Sequence, residues 1–149
     1  MSRTFSSLAV HIVFGTYRHR PAIVSSIRIP LHKYIYGIVR NTDCLPLAIN
    51  GTIDHVHILV ELPPKLAVAD LVRTIKSNSS AWASERLGCR FRWQSGYGAF
   101  AVSRSVVPRV TRYIERQEEH HRRTTFRKEM ERFTAEAGFE LDPRFLESD

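Results

Sequence analysis

Cysteine is nearly absent from this chain. Cys44 and Cys89 are the only two among 149 residues, and no Cys-x-x-Cys spacing is present for a zinc knuckle or a redox pair. Both are read as reduced thiols. No apolar run approaches the ~20 residues that a bilayer-spanning helix needs. Residues 1–7 lack the apolar core and small-residue cleavage site of a secretory signal, so a cytoplasmic protein is expected. Proline and glycine number seven each and never cluster into a linker. With no repeat and no low-complexity tract, the expectation is one domain over residues 1–149. Acidic residues are outnumbered, 15 against 22 Lys and Arg, which leaves a net charge of +7. That excess favours a polyanionic partner, because each phosphate contact releases condensed counterions. A basic enzyme with no such partner has the same composition. The apolar share of 43% excludes wholesale disorder.

The patterning predicts an α+β chain. Residues 8–14 are apolar, β-branched and short, which predicts a buried strand. Pro30 opens a stretch with Leu31, Tyr34, Ile35, Ile38 and Val39 at helical spacing, ending near Asn41. Residues 45–49 and 56–62 read as two further strands, with a hairpin turn between Asn50 and Asp54 signalled by Asn50-Gly51. Val68, Leu71, Val72, Ile75 and Trp82 mark a second amphipathic helix. Residues 91–102 read as strand again, broken by Gly96 and Gly98. Ser105 and Pro108 suit the start of a third helix. Thr125 caps a fourth, striped by Phe126, Met130, Phe133 and Ala137 and stopped by Gly138. The first six elements fit a ferredoxin-like βαββαβ antiparallel sheet with helices on one face. The two C-terminal helices follow it.

One segment carries chemistry: Asp54-His55-Val56-His57-Ile58-Leu59-Val60. Side chains two apart on a strand share a face, so His55 and His57 project together, opposite Val56, Ile58 and Val60. With helices covering the valine side, both imidazoles are expected on the open face. Paired imidazoles make half of a divalent-metal site. Two exposed histidines on a half-buried strand read the same way. Tyr113 and Gln117 lie four apart, on one face of the third helix. A phenol needs a nearby cation or base to become a nucleophile, and the Gln117 carbonyl oxygen can complete a metal triad. Val106, Val110 and Tyr113 also form a plain amphipathic stripe, so an edge-residue role for Tyr113 stays open.

Taken together these segments resemble the single-tyrosine transposases of small bacterial insertion sequences, the family named after insertion sequence two hundred. The His55-Val56-His57 segment is similar to that family's HUH motif (His, hydrophobic, His). The resemblance extends over nearly the whole chain. It takes in residues 10–16 with Arg18 and Arg20, residues 76–80 with Trp82, residues 93–100, Tyr113 through His121, and the Phe126 helix. It implies that Tyr113 is the nucleophile and that His55, His57 and Gln117 hold Mg²⁺ or Mn²⁺. It further implies cleavage and rejoining of single-stranded DNA at hairpin-bearing element ends through a 5′-phosphotyrosine. A homodimer is implied too, in which the tyrosine helix of one subunit can serve the histidines of the other. The implied setting is a bacterial or archaeal cytoplasm, at the nucleoid when the protein acts. The tail, Arg144-Phe145-Leu146-Glu147-Ser148-Asp149, departs from the family's aromatic ending.

His120 and His121 are placed beside the site rather than in it. Asp54 either orients His55 or caps the turn, and the turn is the preferred reading. Arg109, Arg112 and Arg116 form a basic row on the tyrosine helix, followed by Arg122 and Arg123. With Arg18, Arg20 and Lys76 they are the candidate phosphate contacts, against the plainer reading of a solvated face. Trp93 and Tyr97 either stack on an unpaired base or pack in the core. Two rival functions share the motifs: a non-catalytic or domesticated hairpin-binding relative, and a replication or conjugation nickase.

Overall fold

The computed structural model describes residues 3–147; Met1, Ser2 and the last two tail residues, Ser148 and Asp149, lie outside the described residues. Strand β1 (Ala9–Gly15) runs through the middle of a four-stranded sheet. It pairs antiparallel with β3 (His55–Glu61) on one side and β4 (Gly98–Val102) on the other. β2 (Leu45–Gly51) forms the far edge beside β3, giving the order β2-β3-β1-β4. Helices α1 (Ser25–Asn41) and α2 (Val68–Leu87) cover one face. Ile12 and Phe14 of β1 and Val56, Ile58 and Val60 of β3 pack there against Leu31, Ile35, Leu71 and Ile75. This is the expected ferredoxin-like βαββαβ arrangement. Among the described residues no helix is long and apolar enough to cross a membrane. Cys44 and Cys89 are free thiols.

The differences from the sequence reading are local. α1 starts at Ser25 rather than at Pro30, which lies inside it. Ile27 extends the buried stripe of Leu31, Ile35 and Ile38 back by a turn, and that burial outweighs the one amide bond proline cannot make. Asn50 and Gly51 are paired in the ladder, opposite His57 and Val56, so the turn proper lies at Thr52–Asp54. Gly51 serves close approach, since a Cβ there would lie 2.2 Å from the His55 carbonyl oxygen. Residues 91–97 are a loop rather than a continuous strand, tied to the end of β1 by one antiparallel bridge between Thr16 and Trp93. Trp93 donates to Ser79 Oγ at 2.9 Å and meets Phe14 edge-on, so its role is in the core. The Lys76 ammonium donates to the carbonyls of Gln94, Ser95 and Gly96 at 2.7, 3.2 and 2.8 Å and holds this loop in place.

The second face of the sheet is roofed. Helices α3 (Val107–Glu115), α4 (Gln117–His120), α5 (Phe126–Glu136) and α6 (Arg144–Glu147) follow β4. Pro108 sits in the first turn of α3 as expected, while Ser105 lies in a preceding 3-10 turn and makes no cap. Thr125 Oγ accepts the Lys128 amide at 3.2 Å and caps α5, which gives way to Gly138 at φ +89°. Phe126 and Met130 of α5 pack on Val13 with Phe100, Phe133 and Phe145 around them. The apolar stripe of α5 needed a surface to bury against, and the face expected to stand open supplies it.

Candidate active site and metal centre

Alternation along β3 aims His55 and His57 at this roofed face, and both are fully buried. The expectation of exposed imidazoles is therefore corrected. His55 stacks on Phe126 with ring centroids 4.2 Å apart. Its Nδ1 lies 2.8 Å from Asp54 Oδ1, so Asp54 orients the ring as well as shaping the turn. His57 Nδ1 lies 2.8 Å from Nε2 of buried His11. His121 Nδ1 lies 3.1 Å from the Thr124 carbonyl oxygen. With the outer nitrogens occupied in this way, the inner ones converge. His57 Nε2 is 2.9 Å from Glu129 Oε1, and His55 and His121 reach the same oxygen at 3.4 and 3.3 Å. Gln117 Oε1 lies 3.3 Å from His55 Nε2 and 3.0 Å from His121 Nε2.

Tyr113 stands on the other side of Glu129. The helix is interrupted at Arg116, whose φ is −101°, so Tyr113 lies in the last turn of α3 and Gln117 opens α4. The two side chains still meet: the Tyr113 hydroxyl donates to Glu129 Oε2, and Gln117 Nε2 lies 3.3 Å from that same oxygen. His120 Nε2 is 3.2 Å from the Tyr113 hydroxyl, and the Arg132 guanidinium lies 5.1 Å from the ring centroid. The Tyr113 ring meets His57 edge-on at 5.8 Å. Tyr113 and the histidines therefore come together within one chain.

The electrostatics fit a ligand cluster next to a resting phenol. Burial would raise the Glu129 carboxyl, but hydrogen bonds from His121, His55 and His57 hold it well below the usual carboxylate range. Burial lowers His57 to about 4, so its imidazole is neutral at pH 7. Burial also opposes charging of His55, yet Asp54 and Glu129 raise it on balance. Tyr113 is pushed well above the usual phenol range, first by burial and then by the Glu129 charge. It is a protonated phenol at neutral pH.

The basic residues divide by placement. Arg109, Arg112, Arg116 and Arg123 line a cleft of about 310 Å³ with Glu119 and His120, and Tyr113 forms part of its wall. Arg122 lies on an adjoining surface with Arg116 and Arg123. Arg18 and Arg20 flank the Tyr17 ring at 5.2 and 5.4 Å. Lys76, a candidate phosphate contact in the sequence, is instead engaged by the three loop carbonyls, and burial lowers it to about 8.

Sequence reasoning missed Glu129 and His11 and placed His121 outside the cluster. Glu129 did carry a signal, as a lone carboxylate three residues after Phe126 on an apolar stripe. His11 had none beyond its place in a buried strand.

Residues 4–117 match the family model described as transposase IS200 like. The transposases for insertion sequence element IS200 of Salmonella typhimurium and Salmonella typhi are each 26% identical over 114 residues, covering 72% of this chain and 74% of theirs. A protein of Deinococcus radiodurans R1, solved as a candidate transposase, superposes with a TM-score of 0.63 at 19% identity, covering 78% of this chain and 96% of that one. A REP-associated tyrosine transposase bound to a REP hairpin gives 0.61 at 16% identity, covering 81% and 73%. The two superpositions speak for the fold.

Proposed function

The chain belongs to the family of IS200-like transposases, and on that premise we propose that it cuts and rejoins single-stranded DNA at hairpin-bearing element ends, with Tyr113 as nucleophile. One observation carries this reading: the Tyr113 hydroxyl lies between a buried cluster of histidines, Gln117 and Glu129 and an arginine-lined cleft. Arg109, Arg112, Arg116 and Arg123 fit the role of holding the DNA backbone, and Arg18, Arg20 and Arg122 of extending its track.

Tyr113 Oη attacks phosphorus as the bond to the 3′ oxygen breaks, leaving a 5′-phosphotyrosine and a 3′-hydroxyl. The phenol proton has two acceptors in reach, Glu129 Oε2 and His120 Nε2. The leaving 3′ oxygen takes up a proton. Attack by another 3′-hydroxyl on the phosphotyrosine reverses the step and joins strands, so no nucleotide cofactor is needed. His55, His57 and Gln117 would hold a divalent ion, Mg²⁺ or Mn²⁺ by family resemblance, since two imidazole nitrogens and an amide oxygen are lone-pair donors that a dication can share. When bound it supplies Lewis acidity. A homodimer fits the reading as a means of holding two DNA ends, since Tyr113 already meets the histidines and Gln117 within one chain.

Incubation of labelled single-stranded element ends with the protein and Mg²⁺ or Mn²⁺ tests the proposal. Cleavage is expected with the ion, none in EDTA, and none of the same sequence fully paired. Cleavage in EDTA, or equal cutting of duplex, contradicts it.

A further inference from the structure

We infer that Glu129 and His121 are metal ligands together with His55, His57 and Gln117, and that this set selects a first-row transition dication such as Mn²⁺, Co²⁺ or Zn²⁺ over Mg²⁺. The inference builds on the metal-dependent reading above and changes its ligand set. Both added residues lie beyond residues 4–117, the segment that matches the family model.

Convergence is the first argument. The ligand atoms of His55, His57, His121 and Glu129 all lie within 4.8 Å of one another. Glu129 Oε1 is 2.9, 3.4 and 3.3 Å from the inner nitrogens of His57, His55 and His121. Metal–ligand bonds of about 2.1 Å put neighbouring donors about 3.0 Å apart in an octahedron and about 3.4 Å apart in a tetrahedron. Neutral imidazole nitrogens and a carboxylate oxygen facing one point are all lone-pair donors, which repel unless a cation or proton lies among them.

The outer atoms agree. Each of the three histidines has Nδ1 engaged, by Asp54, by His11 and by the Thr124 carbonyl, which leaves Nε2 free to face inward. This is the arrangement metal-bound histidines adopt, with the far nitrogen tied to an acceptor that fixes the ring. His120 differs, because its Nε2 is turned to the Tyr113 hydroxyl. Glu129 is held in register by the Thr125 cap and the stacking of Phe126 on His55. Its side chain is wholly buried, with its oxygens 2.9 to 3.5 Å from Nε2 of His55, His57, His120 and His121. One oxygen faces the ligands and the other accepts the Tyr113 hydroxyl, so the carboxylate links the ion to the nucleophile.

Selectivity follows from the donors. Mg²⁺ prefers oxygen, keeps several waters and seldom sits in an all-protein cage. Three imidazoles with one carboxylate and one amide oxygen suit first-row transition ions.

The test is metal binding by the metal-stripped full-length protein, read by calorimetry and independent of cleavage. Wild type is expected to bind one Mn²⁺ at least about tenfold more tightly than Mg²⁺. Glu129→Gln and His121→Asn are each expected to weaken Mn²⁺ binding by about tenfold or more, whereas Glu119→Gln leaves it unchanged. Pulsed electron paramagnetic resonance of Mn²⁺-loaded wild type needs no variant and should count three coupled imidazoles. Two coupled imidazoles, undiminished Mn²⁺ binding in both variants, or equal affinity for Mg²⁺ overturns the inference and leaves the metal-dependent reading standing. A wild type that binds no divalent ion overturns both.

Discussion

Glu129 touches His57 with one carboxylate oxygen and Tyr113 with the other: Oε1 lies 2.9 Å from His57 Nε2, while Oε2 accepts the Tyr113 hydroxyl. The bridge joins α5, α3 and β3 of a single chain, so Tyr113 and the histidines need no second subunit to meet. Mixed preparations of Tyr113→Phe and His57→Ala chains are therefore expected to show no recovered cleavage, even in verified heterodimers. Recovery to a substantial fraction of wild-type activity would show that the tyrosine serves a partner's histidines, as the family resemblance allowed.

The arginine cleft beside Tyr113 makes a prediction about salt. Arg112→Ala and Arg116→Ala should each weaken binding to single-stranded DNA. Each should also reduce the slope of log affinity against log salt by about 0.7 for every phosphate left without its arginine. Lys76→Ala should behave differently, because its ammonium holds the 94–96 carbonyls. Its melting temperature should fall while the salt slope stays unchanged. Filter binding from low to physiological salt, with a thermal melt for each variant, distinguishes the two roles.

Acid should destabilise the fold between about pH 6.5 and 4. Burial lowers His57 and His32 to about 4 and lowers His11 well below its ordinary value. Unfolded histidine titrates near ~6.5, so in this window the unfolded chain binds protons that the folded chain refuses, and stability falls as pH falls. His55, raised, acts at higher pH with the opposite sign, and the depressed carboxyls of Asp54 and Glu129 lose their contribution only in stronger acid. Melting temperature in EDTA should decline steadily from pH 7 to 4.5. His32→Leu removes a buried nitrogen that has no hydrogen-bond partner among the described residues, and should flatten the decline. A melting temperature independent of pH in this range contradicts the assignment.

The sheet and its first two helices were legible because their signals are short-range. Ile12, Val56 and Ile58 alternate along strands, and Leu71, Val72 and Ile75 repeat at helical spacing, so periodicity alone separates buried from exposed faces. The loop at 91–97 was not legible, since its aromatic residues serve the core through Ser79 and Phe14 rather than a strand ladder. At the site, His55, His57, Tyr113 and Gln117 announced themselves by spacing within one element or motif. Glu129 reaches them across 72 residues from His57, and only the packing of α5 on the sheet sets that distance. The burial of both histidines was hidden for the same reason: a sequence shows that α5 has an apolar stripe, not which surface receives it.

The central claim, that the Tyr113 oxygen forms the covalent link to DNA, is tested most directly by trapping that link. Tyr113→Phe removes one hydroxyl and keeps the ring against His57 and Phe133, so the variant should fold and bind hairpin-bearing single strands as wild type does. Wild-type protein incubated with labelled single-stranded ends and Mn²⁺ should yield a DNA-linked band on a denaturing gel, with the label mapping to the peptide that contains Tyr113. The same incubation with Tyr113→Phe should yield none. An adduct that persists in Tyr113→Phe, or that maps to Tyr17, Tyr34, Tyr36 or Tyr97, would contradict the account.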